Sequence, residues 1–322
     1  MRSAISLSAA SAVLALFMFS SPAQAKTYTY AYQRIIELNS ASVLDIRAIS
    51  GSIEIVGGSD DQIVVDLVKR LHAPSLIEAD QLAQDIEFTV SRIEDTLRIS
   101  ALHTHEVGFD NSVFEKVLGL DEDDPPATDL RIQVPVNCPI IITSRLGPIS
   151  VRDLQANVQI TTIESPVTLA NLDGDIAIKN AAGLIQGEFL FGNLDIRHGD
   201  GDIELAWVEG DVTIRAASGH IAIKQAKGTV QLATRSGDVT IQTELDSPKD
   251  YVVETVTGTI KLAVPQWAVG KLDIQTESGN IRSDIPLAVE SASRDRLVGQ
   301  MGSGGPNVKL TSSSGDVRIA MY

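Results

Sequence analysis

Three sets of side chains recur at an 18-residue interval and could carry chemistry. Asp202, His220 and Asp238 each follow a glycine. A fold that repeats every 18 residues stacks them on one edge. An Asp–His–Asp stack could move protons or hold a metal ion. Asp after Gly is also ordinary turn chemistry, as at Asp175, Asp211 and Asp316, and that is the expectation here. Lys179, Arg197 and Arg215 form a second ladder, with the charge to hold a sulfate, a phosphate or a uronic acid. Asp195 shares a face with Arg197, and solvent screens the rest, which favours a solvated surface. Phe189 and Trp207, with Phe191 close by, form the third set. Stacked aromatics at an edge bind sugar rings or a protein partner, or simply pack there.

Other candidates are weaker. His198-Gly199-Asp200-Gly201-Asp202 approaches the calcium-binding β-roll nonapeptide, G-G-x-G-x-D-x-U-x. Its Asp falls one place early, and neighbouring units lack the double glycine. The acidic run Asp121-Glu122-Asp123-Asp124 precedes two prolines and reads as a charged loop. Cys138, in an otherwise apolar strand, reads as a small core residue rather than a nucleophile. There is no nucleotide loop, His-rich metal motif or nucleophile elbow. No catalytic residue, metal ligand or cofactor is assigned.

The elements that would position these residues follow from a repeat. Gly occurs at 174, 183, 192, 201, 210, 219, 228 and 237, every ninth residue, and Ser165, Ala156 and Gly147 extend the register backwards. The second and fourth residues after this position are aliphatic in nearly every unit, as in Ile176/Ile178, Ile203/Leu205 and Val212/Ile214; Gly187 is the exception. Alternation with period two, bounded by a small turn residue, marks a short strand with one buried face. Two residues before the small position, Leu154, Leu172, Leu190, Val208 and Ala226 alternate with Ile163, Ala181, Gly199, Ala217 and Arg235. Two kinds of turn therefore alternate, and the coil is 18 residues with two strands. A three-strand coil of 27 residues would not explain the alternation. The expected fold is all-β: a flattened single-stranded β-solenoid, or β-helix, of about 18–21 residues per coil. Each strand stacks on its equivalent at roughly 4.8 Å.

Looser copies of the motif lie at Val253–Leu262, at Leu272–Ile281, at Val308–Ile319 and, early in the chain, at Leu44–Ile55. The 21-residue steps from Gly237 to Gly258 to Gly279 imply coils with longer turns. Residues 62–69 and 86–102 read as strands. Leu76, Ile77, Ala79, Leu82, Ala83 and Ile86 make a helical face after Pro74 and Ser75. This segment is the candidate cap for an open solenoid end. The expected organisation is a signal peptide over 1–25, a capping segment with an acidic loop near 103–129 over 26–130, and the solenoid over 131–322.

Composition narrows the function. Of 322 residues, 26 are Lys or Arg and 42 are Asp or Glu, a net charge of −16, with a single Cys. An acidic chain argues against nucleic acid as the partner, and one Cys excludes a disulfide framework. Arg2, the apolar run over residues 4–19 and Ala23-Gln24-Ala25 read as a secretory signal peptide with its cleavage site. No transmembrane-length segment follows. The expected location is the periplasm, the cell surface or the medium.

Leu44-Asp-Ile-Arg-Ala-Ile-Ser-Gly51-Ser-Ile-Glu-Ile, the Val134-Pro135 pair and the Ser-Gly-Asp-Val units at 236–239 and 314–317 resemble the bacterial "putative adhesin" family. The family comprises exported β-strand-repeat domains of mostly unassigned function. The resemblance implies a single-stranded β-helix and an envelope or surface role, with no catalytic residues to transfer. The 103–129 insertion is not part of that pattern. Two classes of function follow. One is a non-catalytic, adhesin-like or scaffolding solenoid that binds an envelope or surface protein or glycan. The other is a polysaccharide lyase or hydrolase on a β-helix scaffold. Outward positions rich in Thr, Gln, Ala and Ser, such as Gln159, Ala177, Thr213, Thr168 and Thr240, favour the first. The binding candidates are Phe189, Phe191, Trp207, Lys179, Arg197 and Arg215.

Overall fold

The computed structural model describes residues 26–37, 43–58, 61–103 and 127–322. The signal-peptide expectation over 1–25 and the acidic run 121–124 lie outside them. The described residues form two long sheets, of 13 and 14 strands, and successive strands of the repeat alternate between them. Equivalent residues one coil apart pair in parallel: Val158 with Ile176, Ile176 with Leu194, and Leu194 with Val212. The same holds in the other sheet for Val167, Ile185, Ile203 and Ile221. The 18-residue, two-strand coil is therefore the structural unit. Inward residues from both sheets make one continuous core. Gly187 keeps its place in that core because Leu190 and Leu205 fill the space. A Cβ there would lie 2.7 Å from Leu190 Cδ1 and 2.9 Å from Leu205 Cδ2.

The turns explain the glycine register. Gly219 has φ +115, and a Cβ on it would overlap the Gly201 carbonyl of the coil beneath; close stacking of left-handed turns requires glycine. The next residue ties the coils together. Asn157 Oδ1 accepts the Asp175 N–H at 3.0 Å, Asp175 Oδ1 that of Asn193 at 3.1 Å, and Asp211 Oδ1 that of Thr229 at 3.0 Å. Turn amides that the sheet ladder leaves open are satisfied by side chains in this way.

The two kinds of turn differ by one backbone state. On one edge strict alternation continues, so Thr162, Asn180, His198 and Thr234 point inward and are buried. On the other edge Asp153, Asn171, Phe189 and Trp207 take left-handed φ values of 62, 54, 56 and 58. That inversion breaks the alternation and turns the following Leu154, Leu172, Leu190 and Val208 inward instead.

At both ends the stacking order departs from chain order. The sequence places the Leu272–Ile281 copy next to the Val253–Leu262 copy. Instead strand Asn307–Ser314 pairs with Tyr251–Thr257 on one side and with Gly270–Ser278 on the other. Val317–Met321 likewise lies between Ile260–Val264 and Ile281–Ser283. The first coil behaves in the same way. Val43–Ala48 inserts between Ile140–Ser144 and Thr96–His103, and Ile53–Gly58 between Ile149–Leu154 and Ala127–Pro135. Once a connection exceeds the repeat length, spacing no longer names the neighbour, because every copy presents the same pairing edge.

The N-terminal strands and helix lie at one end of both sheets. Strands Lys26–Glu37 and Gln62–Ala73 pair antiparallel, as do Ile86–Ile93 and Thr96–His103. Between them runs helix Leu76–Asp85. Its N-cap Ser75 Oγ accepts the Glu78 N–H at 3.3 Å and donates to Glu78 Oε1 at 3.2 Å. The helix buries Ala79 and Ala83, with Leu82 partly covered, whereas Leu76 and Ile77 are exposed. The buried face is therefore narrower than the sequence pattern. Lys69 Nζ donates to the Ala83 and Ile86 carbonyls, each at 2.7 Å, and closes the helix C-terminus.

Candidate binding surface

The aromatic set sits on the left-handed edge. In this ladder Asp153 and Asn171 suit the backbone, since short polar side chains tolerate positive φ. Asn171 Nδ2 also donates to Asp153 Oδ1 at 2.8 Å. Phe189 and Trp207 have the same backbone without that tolerance, and both side chains are 46% exposed. Their rings lie 6.4 Å apart, 7° from parallel. Lys224 Nζ sits 3.8 Å from the Trp207 ring centroid, a cation–π contact. Phe191, 38% exposed, lies in register between Asp173 and Glu209. The ladder ends at Gln225, which turns inward and donates to the Gly210 and Thr229 carbonyls.

Beside this edge the 13-stranded sheet carries an open trough of about 640 Å³ running across the coils. Gln186, Glu188, Glu204, Lys224 and Gln242 line it. Gln186 Nε2 donates to Glu204 Oε2 at 3.0 Å. The trough thus offers amides, carboxylates and one ammonium group along a rigid strip. The sequence reading missed Glu188, Glu204 and Lys224 as one surface. Their 18-residue offsets, Gln186 to Glu204 and Glu188 to Ala206 to Lys224, were the available signal.

The cation ladder exists but stands apart. Lys179, Arg197 and Arg215 are in register on the 14-stranded sheet, whereas the aromatics belong to the 13-stranded one. Arg197 Nε lies 3.9 Å from Asp195 Oδ1, with both side chains more than half exposed. The two candidate sets do not make one site.

The Asp202–His220–Asp238 stack is occupied by turn chemistry. Asp202 Oδ1 accepts the His220 N–H at 2.8 Å, and Asp238 Oδ1 accepts the Thr259 N–H at 2.7 Å. Among the described residues no group of three or more His, Cys, Asp or Glu is placed to hold a metal ion. His198 of the β-roll-like motif points into the core, 5% exposed, and Asp200 accepts from Ser218 Oγ. Cys138 is 2% exposed, and burial pushes its thiol up to about 11. It stays a thiol at neutral pH rather than a nucleophilic thiolate.

Among the described residues no helix is long and apolar enough to cross a membrane. No curated protein matches the sequence. Solved structures of similar shape include a "putative adhesin" from Parabacteroides merdae, 9% identical at a TM-score of 0.41, covering 91% of this chain and 96% of that one. A "putative lipid binding protein" from Parabacteroides distasonis is 13% identical at 0.40, covering 91% and 96%. A "putative cell adhesion protein" from Clostridium sporogenes is 8% identical at 0.28, covering 92% and 100%. The sequence description of the Toastrack DUF4097 family matches residues 129–320, more than half the chain. The matched span takes in most of the stacked two-strand coils, and the chain belongs to the Toastrack DUF4097 family.

Proposed function

We propose that the protein is an exported, non-catalytic, adhesin-like solenoid that binds an envelope or cell-surface protein or glycan, with Phe189, Phe191 and Trp207 as its anchors. The observation that carries this reading is the outward display of two aromatic rings on left-handed backbone. An aromatic residue at positive φ costs free energy, and such outliers persist where the position serves a function. Aromatic anchors tend to supply a disproportionate share of interface energy. A rigid stack of strands adds little ordering cost on association. The Lys179–Arg197–Arg215 ladder is a secondary contact for an acidic group.

The test is paired. The purified chain is incubated with pectin, alginate and peptidoglycan fragments and assayed for new reducing ends or unsaturated products. Binding to envelope fractions is then compared for the parent and a folded Trp207→Asn variant. The expected result is no product, and binding that the variant loses. Product release by the parent would overturn the non-catalytic reading in favour of a polysaccharide-acting enzyme. Unchanged binding by the variant would remove the aromatic edge from the proposal.

A further inference from the structure

The two ends of the stack are finished differently. At one end the outermost strands are Ile281–Ser283, three residues long, and Ala288–Ala292, whose register breaks between Val289 and Ser291. Short and bulged edges resist further pairing. At the other end the 13-stranded sheet finishes on Lys26–Glu37. This strand has twelve residues and pairs with Gln62–Ala73 without a break. Among the described residues nothing pairs with its other side, and Lys26, Arg34 and Glu37 are its only charged residues.

Its two faces are also unevenly covered. Tyr30, Tyr32, Arg34 and Ile36 lie opposite Lys69, Leu67, Val65 and Ile63. All four partners are buried, so this is the interior side of the sheet. The helix covers Tyr30, whose hydroxyl donates to Asp80 Oδ1 at 2.5 Å. Tyr32 faces the same way yet is 52% exposed, and Ile35 on the opposite face is 59% exposed. The edge ends as an interior strand would, with part of its inward face uncovered.

We propose that this strand pairs antiparallel with the same strand of a second copy, joining the two 13-stranded sheets across a two-fold axis. Directly opposed residues in an antiparallel pair share a face. Two-fold symmetry therefore sets either Ala31 or Tyr32 opposite itself at the centre. In the first register Tyr30 meets Tyr32 of the other copy and Tyr28 meets Arg34; in the second Tyr30 meets Arg34. Both bring a guanidinium beside a tyrosine ring, and neither opposes like charges. A second copy fits because the strand carries both halves of each contact. A two-fold contact uses the 26–37 edge of both copies and the far end is blunt, so this pairing closes at a dimer rather than growing into a fibre. Twelve residues span about 40 Å, and a single strand edge of that length makes a smaller contact than a standard interface. The dimer is therefore concentration-dependent.

Sedimentation velocity of the purified chain over a rising concentration series tests this, beside a double variant that combines Ala31→Lys with Gln33→Lys. Both substitutions lie on the exposed face. In the first register the lysine introduced at position 31 would oppose its own copy, and in the second the two introduced lysines oppose each other. The expected result is a dimer that grows with concentration in the parent and disappears in the variant at low salt. At about 1 M salt, where charge repulsion is screened, the variant should recover it. A parent that stays monomeric throughout would overturn the proposal. So would a variant that associates like the parent at low salt.

Discussion

Gly258 donates its amide N–H to the Ser314 carbonyl at 2.9 Å. The C-terminal coil, and not the next one along the chain, therefore rests on the 251–264 coil. Deleting residues 307–322 is then not a trim of a chain end, because it removes a layer from inside the stack. Val308, Leu310, Val317 and Ile319 are each at most 1% exposed. Burial of each contributes about 1.5–3 kcal/mol, and together they approach the whole stability of an ordinary domain. Thermal unfolding followed by circular dichroism should show the truncated chain losing its cooperative transition or melting far below the parent. An unchanged melting temperature would mean the coil is peripheral.

The inward and outward register makes a sharper comparison between neighbours. Ile214 is fully buried, whereas Thr213 beside it is only partly covered on the outer face. Ile214→Asp places an unpaired carboxylate among aliphatic side chains and should cost more than about 3 kcal/mol. Thr213→Asp should stay within about 1 kcal/mol of the parent. Denaturant titration of both variants checks the difference, and comparable midpoints would reverse the assigned faces.

Most of the central fold was legible because one turn geometry recurs. Glycine at every ninth residue marks a backbone state that only glycine adopts cheaply, and the Leu/Val positions 18 apart mark the two edges. The order of coils at the ends was not legible. The Gly258 and Gly279 motifs are equally good partners for the Gly237 and Gly315 coils, and pairing preference is blind to loop length beyond the repeat. The candidate surface was legible in part. Phe189 and Trp207 stood out by spacing, but their left-handed backbone was signalled only indirectly, by Asp153 and Asn171 at the same register. Lys224 was missed as a contact because the 18-residue register sets it beside Ala206, the neighbour of Trp207, and not beside Trp207 itself.

His198 gives the fold a pH dependence. It is 5% exposed, and desolvation holds its pKa below the ordinary 6.5. Nearby backbone groups and Asp200 act in the opposite direction but do not outweigh burial. The unfolded chain therefore binds a proton below about pH 6.5 that the folded chain refuses. This contribution is present above that pH and lost progressively below it, until the folded pKa is reached. His198→Thr, which matches Thr162 and Thr234 at equivalent positions, should narrow the drop in melting temperature between about pH 7.5 and about pH 5. An equal drop in parent and variant would assign the acid sensitivity to other groups.

Trp207→Asn separates what the ring does for the fold from what it does for a partner. The substitution removes the stack on Phe189, worth about 0.5–1.5 kcal/mol, and the Lys224 contact, worth about 0.5–1 kcal/mol. It also relieves a left-handed backbone that costs a bulky residue about 1–2 kcal/mol. Asn171 already occupies the same state two coils earlier, with φ 54. These effects nearly cancel, so the variant should fold within about 1 kcal/mol of the parent. Trp207→Ala loses the same contacts but keeps much of the strain, and should be the less stable of the two. Denaturant midpoints of the three proteins test that order, and envelope binding is measured on the same samples. An asparagine variant that matches the parent in stability but no longer binds puts the ring at the service of a partner. One that unfolds far more easily than the parent puts it at the service of the fold.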